Sequence, residues 1–222
     1  KIAWTLACLR SIAEQAGKIP FEVIVVDDGS SDATPARLAG IGGLRTLRNA
    51  KNLGFIGSCN AGAAAARGEF VLFLNNDTVV TAGWLEALVH CIEHAPAAGL
   101  VGARLVYPDG RLQEAGGIVF NDGSGWNYGR FEDPTDPRFS FRREVDYCSG
   151  AAILLRRELF ERLGRFDTRY APAYYEDTDL AFAVRAAGLK VYVEPAATVI
   201  HFEGVTSGTD AASGAKRYQV VN

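Results

Sequence analysis

Most of the side chains in this sequence that could carry out chemistry lie in three short polar clusters and at one histidine. The clusters are Asp27-Asp28, Asn75-Asn76-Asp77 and Glu176-Asp177-Thr178-Asp179, and the histidine is His201. Each of the first two clusters directly follows an apolar run that is typical of a buried strand, whereas the third precedes a helical pattern. In open α/β sheets, ligands bind outside the carboxyl ends of the strands. The arrangement therefore indicates a ligand site at one edge of a sheet.

The first cluster, Asp27-Asp28, has two possible roles. A carboxylate at this position can accept hydrogen bonds from the imide of a nucleobase or from ribose hydroxyls. The segment that follows, Gly29-Ser30-Ser31-Asp32, is also typical of Asx turns and helix caps, for which the aspartates would be needed without any ligand. The residues alone leave both interpretations open.

Asp77 and His201 are the candidate metal ligands. Hard cations such as Mg²⁺ and Mn²⁺ prefer oxygen ligands and often bind one or two carboxylates together with substrate phosphates, and a neutral imidazole can also ligate Mn²⁺. A turn or cap is the alternative role for Asn75-Asn76-Asp77, and a single histidine at a strand end is more often structural. His90 and His94 lie one turn apart on a predicted amphipathic helix, and we interpret them as surface residues.

The third cluster places three carboxylates within four residues, next to Tyr174 and Tyr175. Helix capping accounts for one or two of them, because the helix dipole favours negative charge at the N-terminus. A carboxylate held near aromatic rings and other acids has a raised pKa, which suits a general base. The cluster therefore favours catalysis over a structural role alone.

Strands and helices alternate along the first half of the chain. Strands are predicted at about 21–26, 44–47, 70–74 and 100–106, and helices at about 34–40, 54–66 and 83–94. Asp109-Gly110 predicts a hairpin turn into a strand at 112–120, and the Gly-, Pro- and aromatic-rich segment 121–146 predicts a long ordered loop. An apolar segment at 151–155, helices at 157–163 and from Thr178 or Asp179 to Gly188, and strands at 191–193 and 198–200 complete the pattern. It predicts one α/β domain whose sheet is mainly parallel and becomes mixed later.

Composition restricts the class of protein. The 222 residues are 48% hydrophobic and 22% charged, as in ordinary globular proteins, and the net charge of -3 gives no broad basic field for a nucleic acid. The four cysteines form no CxxC pair, which favours unpaired thiols in a reduced compartment. Neither a secretory leader nor an apolar run of about 20 residues is visible. Because the chain starts at Lys1 and has no methionine, we expect it to be a segment of a longer protein.

Four strings in this chain resemble those of the family 2 glycosyltransferases with the GT-A fold, and specifically their bacterial rhamnosyltransferase-like branch. They are FEVIVVDDGSSDAT, NLGFIGSCNAGAAAARGEFVLFLNNDTVV, DYCSGAAILLRRELFERLGRFD and YYEDTDLAFAVRAAG, in the family's order and followed by His201. The resemblance extends from about residue 8 to residue 208. It implies a Rossmann-like sheet flanked by helices, with a nucleotide-sugar-binding half at about 1–107 and an acceptor-binding and catalytic half at about 108–222. The strand with which family members open is missing, because Leu6 to Ala16 already reads as the helix after it.

The resemblance also implies roles for individual residues. Asp27, Asp28 and Asn76 would bind the donor nucleotide, and Asn75-Asn76-Asp77 stands where the family has its DxD metal motif, so that only Asp77 retains a carboxylate there. His201 would join Asp77 in the metal shell. Asp177 would be the catalytic base, with Glu176 beside it.

The reaction implied is an inverting transfer of a sugar from a UDP- or dTDP-sugar to a hydroxyl acceptor, with Mn²⁺ or Mg²⁺ as cofactor. The expected partners are the nucleotide sugar and a glycan or lipid-linked acceptor, in cell-surface polysaccharide synthesis on the cytoplasmic side. Trp126 and Tyr128 are candidates for the acceptor side, although they could equally pack the loop down. Arg142-Arg143 are candidates to assist the leaving group, and 201–208 is a candidate lid.

Two other functions compete with this one. A catalytically silent module that binds sugar nucleotides or glycans fits the two asparagines before Asp77, but it has no need for a base at Asp177. A nucleotidyltransferase would need a Gly-rich loop with basic residues after the first strand, and the sequence contains none.

Overall fold

The computed structural model describes residues 1–204. It begins directly with a helix, as predicted. The helices are α1 (Ile2–Glu14), α2 (Thr34–Ala39), α3 (Gly54–Ala65), α4 (Trp84–His94), α5 (Arg157–Arg162) and α6 (Glu176–Ala186). The strands are β1 (Val23–Asp27), β2 (Leu44–Arg48), β3 (Phe70–Leu74), β4 (Thr78–Val80), β5 (Ala98–Val106), β6 (Leu112–Glu114), β7 (Gly117–Val119), β8 (Gly125–Asn127), β9 (Arg143–Glu144), β10 (Ala152–Arg156) and β11 (Lys190–His201).

The central sheet has seven strands. Five of them run in the order β3-β10-β5-β11-β4, with β6 paired to β5 and β9 paired to β11. Strands β1 and β2 form a parallel pair of their own, and β7 and β8 form an antiparallel hairpin. The α/β class and the mixed sheet of the GT-A prediction are therefore confirmed.

The expectation of a mostly parallel sheet is wrong. Within residues 1–204, β1–β2 and β5–β11 are the only parallel pairs, whereas β10 runs antiparallel to both β3 and β5. The short hairpin connection between β5 and β6, residues 107–111, also requires antiparallel strands. Residues 152–155 of β10 are buried on both faces, so their unbroken apolar run is the same for either strand direction. The hydrophobic pattern therefore could not predict the direction.

Two hydrophobic cores cover the two faces of the sheet. Along β10, Ile153 and Leu155 face the core made with α3, α5 and α6, while Ala152 and Leu154 face the core made with α4. This division follows from the period of two in a strand, which turns successive side chains to opposite faces. The packed sheet gives the loops at its edges a rigid base.

Three later elements differ from the predictions. Helix α6 starts at Glu176 rather than after it, because Tyr175 takes a left-handed backbone conformation with φ 71 and turns the chain into the helix. The strands predicted at 191–193 and 198–200 are one strand, β11, whose pairing with β5 shifts register between Glu194 and Thr198. The predicted loop 121–146 contains β8 and β9.

The described helices are all too short or too polar to cross a membrane. The four cysteines are free thiols, three of them buried.

Candidate active site

The carboxylate of Asp27 ends β1 and turns inward. It is buried, accepts a hydrogen bond from the backbone N–H of Ser30 at 2.9 Å and forms an ion pair with Arg48. Burial alone would raise the pKa of Asp27, but the hydrogen bonds from Ser30 and the Arg48 charge outweigh it and lower that pKa. The side chain is therefore a charged, hydrogen-bonded part of the turn after β1.

Asp28 caps the start of α3. Its Oδ1 accepts from the backbone N–H of Leu53 at 2.8 Å and from the Asn49 side chain at 2.8 Å, and its Oδ2 accepts from the N–H of Gly54 at 2.9 Å. The first N–H groups of a helix have no partner within the helix, so this carboxylate supplies one. The turn-and-cap role left open by the sequence is thus present at both aspartates, and donor binding by them stays a prediction.

Asn75, Asn76 and Asp77 form the turn between β3 and β4. The backbone N–H of Asn75 donates to the carbonyl of Ala151 at 2.9 Å, which ties this turn to the loop before β10. The Asn76 side chain donates to Thr5 Oγ1 of α1 at 3.0 Å. Its amide nitrogen is therefore engaged with α1, and its predicted contact with the donor is untested.

The structure brings Asp77 and His201 together. Strand β4 pairs antiparallel with the end of β11, so that Thr78 lies opposite His201. Both side chains are buried, and Nε2 of His201 lies 3.5 Å from Oδ1 of Asp77. The same nitrogen lies 3.4 Å from Nδ2 of Asn75. Residues from two distant parts of the sequence thus face each other at one edge of the sheet.

This pair fits one divalent cation. Two ligands that each lie about 2.1 Å from the same ion are about 3 to 4 Å apart, which matches the separation of the two atoms. Within residues 1–204, no group of three or more His, Cys, Asp or Glu side chains could hold a metal ion. A cation held by Asp77 and His201 would therefore take its other ligands from substrate phosphates and water.

Glu176 and Asp177 lie in the first turn of α6. Oδ2 of Asp177 accepts from the backbone N–H of Gly150 at 2.9 Å, and Oδ1 accepts from the N–H of Thr178 at 2.7 Å. Burial raises the pKa of Asp177, and burial together with the Asp177 charge raises the pKa of Glu176. Oε2 of Glu176 is buried without a hydrogen-bond partner among the described residues. Both carboxyls thus hold protons more tightly than ordinary acids.

Gln113 and Glu114 of β6 connect the two groups of residues, although the motifs in the sequence predict a role for neither. Nδ1 of His201 lies 3.0 Å from Oε1 of Gln113, and Oε1 of Glu114 accepts from the backbone N–H of Ser149 at 2.8 Å. Ser149 precedes Gly150, which donates to Asp177. Two adjacent polar residues in a strand that is apolar on either side were the one available signal for buried, functional side chains.

Glu114 is the most enclosed acid in this network. Burial raises its pKa to about 8, and the nearby charges of Asp177 and Glu203 act in the same direction. Its Oε2 is buried and makes no hydrogen bond within residues 1–204. Glu114 therefore favours the neutral form at pH 7.

The two candidates for the acceptor side have different environments. Trp126 is exposed on β8, whereas Tyr128 packs edge-on against Phe139, and the Arg143 guanidinium lies 4.4 Å from the Tyr128 ring. Tyr128 and Arg143 also line a surface cavity of about 450 Å³ that includes none of the other predicted site residues. For Tyr128 the packing role is therefore present, and an acceptor role for either aromatic is untested.

The two arginines predicted to assist the leaving group lie elsewhere. Arg142 contacts Cys91 of α4. Arg143 lies in β9, which pairs with Val193, eight residues before His201 on β11 and hence about 25 Å away along the strand. The prediction for this pair is wrong, because β9 returns to the opposite end of β11. Of the predicted lid 201–208, residues 205–208 lie outside the described residues.

Comparison with known proteins identifies the family of this chain and several of its relatives. Residues 2–164 match the family described as Glycosyl transferase family 2. An N-acetylglucosaminyl-diphospho-decaprenol L-rhamnosyltransferase of Mycobacterium tuberculosis is 31% identical over 221 residues, which cover 87% of this chain and 70% of that protein. The O-antigen biosynthesis protein RfbC of Myxococcus xanthus is 37% identical over 158 residues, which cover 68% of this chain.

A solved structure and the lengths of the relatives complete the comparison. The crystal structure of GalNAc-T7 with UDP, GalNAc and Mn²⁺ has a TM-score of 0.76 at 16% identity, and the match covers 99% of this chain and 45% of that one. At this identity the likeness shows the fold alone. The chain spans 12% of RfbC and 22% of another bacterial relative that is 34% identical over 199 residues.

Proposed function

The chain belongs to glycosyl transferase family 2, and from this premise we propose that it transfers a sugar from a nucleotide-diphosphate donor to a hydroxyl acceptor with inversion at the anomeric carbon. One observation carries the proposal. Asp77 and His201 face each other at 3.5 Å, and a continuous path through Gln113-Glu114 and Ser149-Gly150 joins them to Asp177. The Asp77–His201 pair, which suits a cation, and the Asp177 carboxylate, which suits a base, are thus joined by one set of supporting contacts.

On the donor side, Asp77 and His201 would hold Mn²⁺ or Mg²⁺. The fit of their two facing atoms to one ion supports this assignment. When bound, the cation would neutralise the charge that develops on the departing nucleoside diphosphate. We assign Asp27, Asp28 and Asn76 to the nucleotide, since the two aspartates end β1 and Asn76 lies in the turn beside Asp77.

On the acceptor side, Asp177 would remove the proton from the attacking hydroxyl. The oxygen attacks the anomeric carbon, the bond to the diphosphate breaks, and the proton moves to Asp177. Hydrogen bonds from Gly150 and from the backbone and hydroxyl of Thr178 hold the carboxylate in place, and Oδ2, which accepts from Gly150, has a further lone pair. The raised pKa of Asp177 makes it a stronger base than an ordinary aspartate. Glu176 lies beside it in the same turn and holds its own proton.

The names of two relatives support our proposal for the acceptor and the cellular role. One is named as an O-antigen biosynthesis protein and another as a rhamnosyltransferase for N-acetylglucosaminyl-diphospho-decaprenol. We therefore assign the chain to cell-surface polysaccharide synthesis on the cytoplasmic side, with a UDP- or dTDP-sugar as donor and a glycan or lipid-linked acceptor. Residues 1–107 would bind the nucleotide sugar, and residues 108–222 the acceptor, with Trp126 and Tyr128 on that side.

The test is the release of nucleoside diphosphate from UDP-, dTDP- and GDP-sugars, with and without Mn²⁺. We expect Mn²⁺-dependent release from a UDP- or dTDP-sugar, with inversion seen by NMR of the anomeric proton of the product. Donor binding without release from any of them would instead support a catalytically silent binding module. A product of retained configuration would contradict the single displacement.

A further inference from the structure

We infer that Gln113 is a positioning residue, which fixes the nitrogen of His201 that faces Asp77. Gln113 is 3% exposed and lies in β6, where it contacts His201 on one side and Glu203 on the other. The inference rests on the proposed function in one respect, because it takes Asp77 and His201 as the pair that holds the cation.

The orientation of the Gln113 amide follows from Glu203. The amide nitrogen of Gln113 lies 3.2 Å from Oε2 of Glu203, and a carboxylate can only accept hydrogen bonds. A flipped amide would bring two oxygens into contact. Glu203 is itself held by the Tyr107 hydroxyl at 2.9 Å and by the Arg130 guanidinium at 3.1 Å. The amide therefore presents its oxygen to His201.

The tautomer of His201 follows from the amide. Oε1 of Gln113 can only accept, so the nitrogen 3.0 Å away, Nδ1 of His201, must carry a hydrogen. In the neutral ring Nε2 then has the lone pair, and Nε2 is the atom that lies 3.5 Å from Asp77. A lone pair at this position is what ligation of a metal requires, whereas the opposite tautomer would direct an N–H at the carboxylate.

The resulting chain of contacts runs from Arg130 and Tyr107 through Glu203 and Gln113 to His201. Histidines that ligate metals usually donate their second N–H to a carboxylate or a carbonyl, which fixes the ring and the tautomer. Here an amide stands between the histidine and the carboxylate and transmits the same constraint. A purely space-filling role for Gln113 would need neither of these two hydrogen bonds.

The tautomer can be measured directly by ¹⁵N NMR of the histidine side chains, at a pH where the imidazoles are neutral. The chain has three histidines, and substitution of His90 and His94 leaves the signal of His201 alone. We expect the hydrogen on Nδ1 in the wild type and a loss of this preference in Gln113→Leu. A hydrogen on Nε2 in the wild type would overturn the inference without touching the proposed glycosyl transfer, and it requires no Gln113 variant to fold.

The effect on metal binding is tested with Mn²⁺ alone, by electron paramagnetic resonance of the free ion. Gln113→Leu should weaken Mn²⁺ binding by about 10- to 100-fold. If Gln113 acts through His201, the double variant Gln113→Leu/His201→Ala binds no more weakly than His201→Ala. Independent losses that multiply in the double variant would overturn the inference. Unchanged Mn²⁺ affinity in His201→Ala would remove the proposed metal site itself.

Discussion

At the scale of single residues, the carboxylates of this protein divide by how many of their oxygen lone pairs the fold already uses. Asp28 accepts three hydrogen bonds from the segment that starts α3, and Asp27 accepts from Ser30 and Arg48. Glu114 and Glu176 each keep one buried oxygen without a partner among the described residues. Glu114 and Glu176 therefore cost stability when they are charged, and buried acids of this kind are typical of functional sites.

Asp177→Asn tests the base. The variant should lower kcat by about 10²- to 10⁴-fold and leave donor affinity unchanged, because an amide cannot take the proton. It should also fold, since burial already favours the neutral form of Asp177. In the wild type, kcat should rise with pH as Asp177 loses its proton, through a pKa above that of an ordinary aspartate.

Asp179→Asn is the matched control for that variant. Asp179 lies in the same first turn, two residues and about 200° further round the helix, and bonds the Tyr170 hydroxyl instead. Full turnover in Asp177→Asn, or an equal loss in Asp179→Asn, would remove Asp177 from the mechanism.

Glu114→Gln tests the energetic cost of a buried acid. Because burial raises the pKa of Glu114 to about 8 in the folded protein, the unfolded chain loses this proton at lower pH than the folded chain does. Stability contributed by the neutral carboxyl is therefore present below the unfolded pKa and is lost as the pH rises towards 8. The glutamine variant lacks this loss. The free energy of unfolding of the variant, relative to that of the wild type, should therefore rise by about 1–4 kcal/mol between pH 5 and pH 8.5. Urea unfolding at both pH values measures this change.

Glu93→Gln provides the comparison, because Glu93 is exposed on α4. The gain of Glu114→Gln between the two pH values should exceed that of Glu93→Gln, because only Glu114 is withdrawn from water. A pH-independent difference between Glu114→Gln and the wild type would show that Glu114 is charged in the folded protein.

At the scale of elements, the sequence predicted most strands and helices of the first hundred residues closely, because each has its own period and its own turn signals, but it missed the three-residue strand β4. Asp77 and Asp177 could be singled out for the same reason, since they border such elements. The contact of Gln113 with His201 could not, because it depends on the pairing of β11 with β4 and with β5. Long-range pairing of this kind leaves no trace in a local pattern, and neither does the direction of β10.

Gly54 tests how α3 is seated against the segment before α6. The backbone of Gly54 has φ +73, and an added Cβ would lie 2.9 Å from both Cβ and the carbonyl oxygen of Pro172. Gly110 has a similar φ of +87 with nothing within 4 Å, so Gly110→Ala measures the backbone cost alone. We expect Gly110→Ala to lose about 1–2 kcal/mol in urea unfolding. Gly54→Ala should lose about 1–3 kcal/mol more, because overpacking adds to the strain. Equal losses would mean that α3 moves freely away from Pro172.

At the scale of the whole molecule, the candidate site is assembled from both halves of the chain. The loop before β10 illustrates this, because the carbonyl of Ala151 accepts from Asn75 while Gly150 donates to Asp177. The two proposed cation ligands and the proposed base, Asp77, His201 and Asp177, come from three separate segments of the chain. Binding of a donor and a cation should therefore stabilise the whole fold rather than one part of it.

Thermal unfolding in the presence of a UDP- or dTDP-sugar measures that coupling. A donor at 100 times its Kd stabilises the folded state by about 2.7 kcal/mol. For a chain of this size, the gain corresponds to a rise in Tm of about 5–10 °C. We expect the rise to require Mn²⁺ in the wild type, because the donor's phosphates would complete the ligands of a cation that Asp77 and His201 alone cannot enclose. In Asp77→Ala, Mn²⁺ should add nothing to the effect of the donor. The same Mn²⁺-dependent rise in this variant would show that the cation is held elsewhere, and the assignment of Asp77 would then be wrong.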